Sequence, residues 1–465
     1  MKQKHLSIFL IILLFTACKT QYNTPQEALE YRHSWLTVKE TNKKISISKL
    51  KQDVNIIYAT LNSVHPNIFN SYSKKEFEDL VVQIKNKITY PLTRKDFYIL
   101  IAPLISKIND AHTYIQFPDE EFSQYINKNG LLFPIKIEIL DDKLLIKENY
   151  KGLKKGANIL SINGINSSEL ISNMVKYETG ESINYRRKLV EFRFPHYLWL
   201  LYDFKNTFLI KTKDKNIEIN GKKYNEINNQ TANQNASKSY FYKSLDNKTS
   251  LIKISSFSNH IDTFSIFLDT TFKKIKEEKT KNLIIDIRGN NGGNDALVIA
   301  FINYFHNKPY CIYSKSKWKK SKQYQKFIKG IKLDVDLSDY YKTTNGQFLT
   351  SVEKNNISSV EENYFNGNIY LLIDVHTFSA GVNLAMVIKD YNIGIIIGEE
   401  TGNHATSFGN VYPFDLPNSK LSIRCSTSMY VRPSGDENPG GVKPDYYVQA
   451  NENIINFTLN LINKK

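Results

Sequence analysis

Apolar positions recur at spacings of three and four from residue 46 to about residue 115. The stretches "ISKLKQDVNIIYATLNSV", "KKEFEDLVVQIKNKI" and "TRKDFYILIAPLISKI" each place one apolar stripe on a helix. Thr93 is placed to cap the third, which ends near "NDAHTYIQF", so His112 falls at a helix-to-strand corner. From about 125 to 180 the period shortens to two: "LLFPIKIEILDDKLLIKENY" alternates, with Asp141-Asp142 as its turn. "KKGANILSINGINSSELISNMV" follows as strand, Asn-Gly turn and a helix opening near Ser167 or Ser168. The aromatic run "YRRKLVEFRFPHYLWLLY" reads as core, and "NEINNQTANQNASK" as a polar loop. From about 250, short apolar runs alternate with helical stretches: "SLIKISSF", "IDTFSIFLDTTFKKIKEE", "KNLIIDI", "ALVIAFINYF", "NIYLLIDV", "VNLAMVIKDY" and "IGIIIGEE". That alternation predicts an α/β region with a largely parallel sheet.

Composition changes this picture only at the N-terminus. The 465 residues, 41% hydrophobic and 23% charged, suit a multidomain globular chain. The formal charge of +16 is spread along the chain, and no nucleic-acid motif accompanies it. Its densest stretch, Lys315 to Lys332, reads as a solvated loop or helix face, or as a partner-binding patch. "MKQKHLSIFLIILLFTAC" has a basic start, an apolar run too short to span a membrane as an ordinary helix, and small residues before Cys18. It reads as a secretion signal over 1–17. Thr16-Ala17-Cys18 resembles a bacterial lipoprotein box, which implies a lipid on Cys18 and a polar tether over 18–45. Cys311 and Cys425 sit in no CxxC, and whether they pair is not legible.

Two strand–turn–helix units carry the candidate chemistry. "DIRGNNGGN", residues 286–294, is a glycine-rich turn whose N–H groups suit an oxyanion; it lacks the GxxxxGK[ST] pattern of a phosphate loop. "DVHTFSAG", residues 374–381, sets Ser379 before a helix, either as a helix starter or as a nucleophile. A nucleophilic serine needs a base. His33, His65, His196, His260 and His306 lack catalytic context, and His376 reads as shaping the turn, which leaves His112 and His404.

At these residues the chain resembles the tail-specific (C-terminal processing) and tricorn-type serine proteases. The resemblance rests on "NLIIDIRGNNGGN", "YLLIDVHTFSAG", "IGIIIGEETGN" and "GGVKPDYYV", and spans most of residues 46–450. It implies a crotonase/ClpP-like α/β catalytic core over 251–450 with an insertion at about 310–365, and a helical N-terminal subdomain over 46–118. It also implies a PDZ-like peptide-handling module over 125–180, leaving 181–250 as a connecting segment and 451–465 as a tail. Tail-specific members carry a lysine base after "GE.T.GK"; here His404 stands at that place. Tricorn-type members use a histidine in a "D.HT"-like context, which "NDAHT" matches, so the resemblance assigns His112 as base and places Glu437 behind it. A serine found before that histidine is replaced by Ala111.

The implied activity is that of a serine endopeptidase acting on polypeptides of the cell envelope. Ser379 attacks the carbonyl, His112 moves the proton, and the N–H groups of Ala380 and of the Gly292-Gly293 pair hold the oxyanion. Glu437 supports the base, with Glu399 or Glu400 as alternatives; His404 and Glu400 are candidates for substrate contact. Asp286 and Arg288 are expected to brace the turn. No metal or cofactor is expected. The expected partners are a peptide or protein substrate and a membrane reached through the N-terminal lipid, with oligomeric state open. Two other readings stand beside this one. A non-catalytic peptide- or ligand-binding relative is motivated by Ala111 and the missing lysine. An α/β-hydrolase esterase is disfavoured because Thr377 replaces the first glycine of G-x-S-x-G.

Overall fold

The computed structural model describes residues 41–228, 239–329, 337–352, 361–449 and 452–464. The leader, Cys18 and most of the tether and Asn-rich loop lie outside the described residues. The described residues divide into two compact units, one of 239–410 and 427–464, the other of 41–228 and 411–426. No helix among them is long and apolar enough to cross a membrane.

The second unit opens with helices Ile47–Val64, Lys74–Lys87 and Arg94–Ser106, as the periodicity predicts. Their stripes (Leu50, Val54, Ile57, Leu61; Phe77, Val81; Phe97, Ile101, Ile105) form one buried core. Thr93 caps the third helix by accepting the Asp96 N–H. An antiparallel sheet follows, in the order Ile137–Leu140, Lys143–Ile146, Asn158–Ile162, Thr207–Thr212, Asn216–Asn220. Asp141 and Asp142 have φ of 47° and 61°, the left-handed pair a tight hairpin turn requires. The helix after the Asn-Gly turn begins at Ser167. The segment 181–250 does more than connect: it supplies the 20-residue helix Ile183–Tyr202, whose Val190, Phe194, Tyr197 and Leu198 are buried, and two strands of this same sheet.

The first unit is built on a six-stranded sheet in the order Tyr240–Ser244, Thr249–Ile254, Asn282–Asp286, Asn368–Ile373, Ile395–Gly398, Tyr446–Tyr447. Only the first pairing is antiparallel. Alternate residues point to opposite faces of a strand. Ile252, Leu283, Ile285, Leu371 and Ile396 therefore pack with helices Ile261–Glu277, Asp295–Ile302 and Ala380–Asp390. Leu251, Ile284, Tyr370, Leu372 and Ile397 face the other way, against helix Ile454–Asn463. The stretch expected as a tail is thus a core-covering helix. Burial on both faces explains why these strands read as unbroken apolar runs. The described part of the basic stretch, 315–329, forms strand Lys315–Lys319 and helix Lys322–Lys329; residues 330–332 lie outside the described residues.

Candidate active site

Strands Asn282–Asp286 and Asn368–Ile373 are neighbours and parallel, with Asp286 beside Leu372. Their carboxyl ends lie side by side, the usual place for a ligand site in an open α/β sheet. The glycine-rich turn leaves the first strand and the serine turn leaves the second. Asp286 anchors the first turn through the N–H and guanidinium of Arg288 (2.7–3.0 Å) and Lys253 Nζ (3.1 Å). Burial raises its pKa, but those cations outweigh burial and hold it below the usual carboxylate range. Asp374 Oδ1 accepts the Gly289 N–H at 2.9 Å and the His376 N–H at 3.1 Å, tying one turn to the other.

Ser379 precedes the helix Ala380–Asp390, yet its side chain makes no capping hydrogen bond. Its backbone lies at φ 49°, ψ −118°, where an N-cap is normally extended. Such a conformation costs about 1–3 kcal/mol and persists only where the surroundings enforce it. Here they do. The Ser379 N–H reaches Asn403 Oδ1 (3.3 Å), the Phe378 N–H donates to Asn290 O (2.8 Å), and Ser379 O accepts the Asn383 N–H (3.0 Å). The serine is half-buried rather than sealed in the core.

Gly292 shows why a glycine is needed. A Cβ there would lie 2.6 Å from Ser379 Cβ, 2.9 Å from Phe378 O and 3.0 Å from Ala380 N. The glycine-rich turn therefore rests directly on the serine turn. The N–H of Gly292 differs from expectation: it donates to Asn290 Oδ1 at 2.8 Å, so it is engaged within its own turn. Asn290, fully buried, also donates Nδ2 to Ile254 O at 2.9 Å. Gly293 packs on another segment, where a Cβ would meet Phe257 O at 2.3 Å.

Three buried asparagines hold this turn, and sequence reading named none of them. Besides Asn290 and Asn403, Asn383 sits in the first helical turn and donates Nδ2 to Asp295 Oδ1 at 2.7 Å and to Tyr313 Oη at 2.5 Å. Tyr313 donates to Asp295 Oδ2 at 3.1 Å, closing the cluster. Burial pushes Asp295 up to about 6, against the pull of both donors. The only prior sign was asparagine interleaved with glycine in "RGNNGGN" and following it in "TGN".

The other candidates of this unit fall in two places. Glu400 Oε1 accepts the Gly441 N–H at 2.8 Å. His404 is half-buried, its pKa lowered by burial and partly restored by Glu400. Glu437 is exposed and binds Lys315 Nζ at 2.7 Å and Lys317 Nζ at 3.4 Å, the first of which does most to hold it ionised.

His112 belongs to the second unit. It lies between helix Arg94–Ser106 and strand Tyr114–Ile115, in a turn organised by Asp110. Asp110 Oδ1 accepts the His112 backbone N–H at 2.9 Å and stands 3.9 Å from its Nδ1. Asp110 Oδ2 takes Thr113 Oγ1 and Ser426 Oγ, each at 2.5 Å, and His65 Nε2 at 3.0 Å. Since His65 Nδ1 accepts the Asn67 N–H, its Nε2 carries the proton and donates. Burial raises Asp110, but His65 and the other donors overcome it and bring it to about 2. For His112, burial lowers the pKa more than Asp110 raises it, which favours the neutral imidazole a general base requires. Cys311 and Cys425 are buried free thiols.

No curated protein matches the sequence. Among solved structures, mature CPAF complexed with lactacystin aligns with 90% of this chain and 97% of its own, at TM-score 0.61 and 13% identity. A second structure of mature CPAF covers 86% of this chain and 92% of its own, at TM-score 0.57 and 12% identity. These identities establish a likeness of fold. Residues 248–448, which carry both turns, match the family described as Peptidase family S41. Residues 248–448 therefore carry a peptidase family S41 domain, and with it the chain is a serine-type peptidase.

Proposed function

We propose that this chain is an endopeptidase in which Ser379 is the nucleophile and His112 the general base. The strained serine turn carries the reading: Ser379 stands at a helix N-terminus without capping it, held half-buried by Asn290, Asn383 and Asn403. The N–H of Ala380, at the first helical position, has no carbonyl within its own helix to bond. We assign it, with Gly293 N–H, to the oxyanion. Gly292 lets the two turns meet, since its N–H is already engaged. His112 takes the Ser379 proton during attack and returns it to the leaving amine; water then repeats the cycle on the ester. Asp110 positions His112 through its backbone N–H. Glu437 is the resemblance's support for the base, and Lys315 and Lys317 keep it anionic for that role.

The finer fold assignments belong to the same proposal. A crotonase/ClpP-like core agrees with the parallel sheet, and a PDZ-like peptide module over 125–180 agrees with the strand–turn–helix order found there. The leader, with Cys18 as lipidation site, supports an enzyme anchored in the bacterial cell envelope and acting on its polypeptides. Fluorophosphonate labelling tests the mechanism. Wild type is expected to label at Ser379 and cleave an unfolded or tailed peptide, and Ser379→Ala to do neither while keeping its melting temperature. Undiminished cleavage by Ser379→Ala would refute it. A wild-type protein that binds peptide ends but neither labels nor cleaves would favour the non-catalytic reading.

A further inference from the structure

We propose that strand Phe348–Val352 and the lysine row beside it form a docking surface for an acidic, extended segment of the polypeptide substrate; this rests on the peptidase reading above. Strand Lys315–Lys319 pairs on one side with residues 428–431 and on the other with Phe348–Val352, the terminal strand of its sheet among the described residues. Opposed residues of antiparallel strands share a face. Lys315, Lys317 and Lys319 therefore stand on the same face as Val352, Thr350 and Phe348. The alternate residues Ser316 and Trp318 are buried. Phe348 is 43% exposed and Val352 77%.

An edge strand presents unpaired N–H and C=O groups, and proteins usually blunt it with charge or proline. "FLTSV" carries neither, and Phe, Thr and Val favour the extended state. Such an edge suits the addition of an extended peptide as a further strand. The neighbouring row decides the charge of that peptide. Lys315 and Lys317 already hold one carboxylate, that of Glu437. Pairs this exposed are weak, so a substrate carboxylate can compete for the lysines.

A largely buried run of chain links the loop on the lysines to the serine turn. The Ser379 N–H reaches Asn403 Oδ1, Ala405 N–H donates to Gly440 O (2.9 Å), and Thr406 Oγ1 donates to Asp436 O (2.6 Å), next to Glu437. Residues 403–406 thus run from the serine turn to the loop that lies on the lysines.

The test uses two peptides with one cleavable core, extended by alternating aspartates or by alternating lysines. Wild type is expected to show about a tenfold lower KM for the acidic peptide at similar kcat, a preference lost in about 0.5 M salt. Lys319→Glu should reduce the preference about fivefold and improve cleavage of the lysine peptide, with the unextended core cleaved as before. Binding of both peptides to Ser379→Ala protein, read by fluorescence anisotropy, separates the two claims. Acidic preference in binding without cleavage by wild type would strike the peptidase reading alone. Equal binding of both peptides overturns the docking surface. So does a dimer in sedimentation that Val352→Asp dissociates while the acidic preference stays, because the edge is then a self-interface.

Discussion

Replacing Gly292 by alanine tests the serine turn most directly. The added Cβ would sit 2.6 Å from Ser379 Cβ, while carbon–carbon contacts settle near 3.5–4.0 Å, so the two turns must part by roughly 1 Å. Neither of the next two obstacles is the end of a flexible side chain: Phe378 O at 2.9 Å and Ala380 N at 3.0 Å are backbone. The displacement therefore falls on the proposed nucleophile, Ser379, and the proposed oxyanion donor, Ala380. A shift of about 1 Å costs on the order of 100-fold in rate, or about 2.7 kcal/mol of transition-state stabilisation. The φ of +84° adds about 1 kcal/mol or more to the cost of folding. Gly289→Ala separates these effects, because Gly289 has φ +72° and nothing within 4 Å of a Cβ. Gly289→Ala should lose only the backbone part of the stability in urea unfolding, Gly292→Ala more because of the overlap, and only Gly292→Ala should lose kcat/KM and the rate of fluorophosphonate labelling. The reasoning is refuted if Gly292→Ala stays within about threefold of wild type, or if Gly289→Ala loses as much activity.

Other expectations follow from the buried groups. His112→Gln should abolish cleavage, and the acid limb of wild-type kcat/KM should have its midpoint below about 6.5, because burial lowers the His112 pKa; a midpoint above 7 would contradict it. Asp295 is raised to about 6 from about 3.9 unfolded, so the fold binds its proton more tightly and Asp295 should contribute a falling slope, about 3 kcal/mol lost as pH rises from about 4 to 6. Asp295→Asn should remove that slope in urea midpoints, and an unchanged slope would count against the assignment. Asp110 has the opposite sign: at about 2, it adds stability that is full above about pH 4 and lost as pH falls toward 2. Asn403→Ala takes the acceptor from the Ser379 N–H and should lower kcat about tenfold with KM little changed, while Asn403→Asp restores the acceptor and part of the rate.

Much of the fold was legible because its elements are strongly patterned. The three N-terminal helices, the Asp141-Asp142 hairpin and the alternating strands and helices after residue 250 appear where periodicity placed them. The segment after residue 180 was not legible. Helix Ile183–Tyr202 spreads charged residues such as Arg187, Glu191 and Arg193 among apolar and aromatic ones all round and contains Pro195, so no stripe marks it. The basic stretch read as loop or surface helix because its lysines hide the alternation of buried Ser316 and Trp318, visible only once pairing partners are known. The terminal segment read as a tail because its role depends on covering the far face of a sheet most of whose strands lie far upstream in sequence.

At the site, the sequence by itself determined the kinds of group and their local settings: a serine before a helix, a glycine-rich turn after a strand, a histidine at a corner. These are short-range matters of strand ends, helix starts and glycine. The tertiary structure decided that Ser379 precedes its helix without capping it. Its hydroxyl leaves the helix uncapped because the backbone is held at φ 49° by groups from 24 to 89 residues away, Asn403 and Asn290 among them. It also decided that the Gly292 N–H is engaged within its own turn, and that Asp110, Asp295 and the asparagines are the hydrogen-bond partners of these turns. Such roles depend on burial and on hydrogen-bond partners brought together by folding, and neither is written in the spacing of residues along the chain.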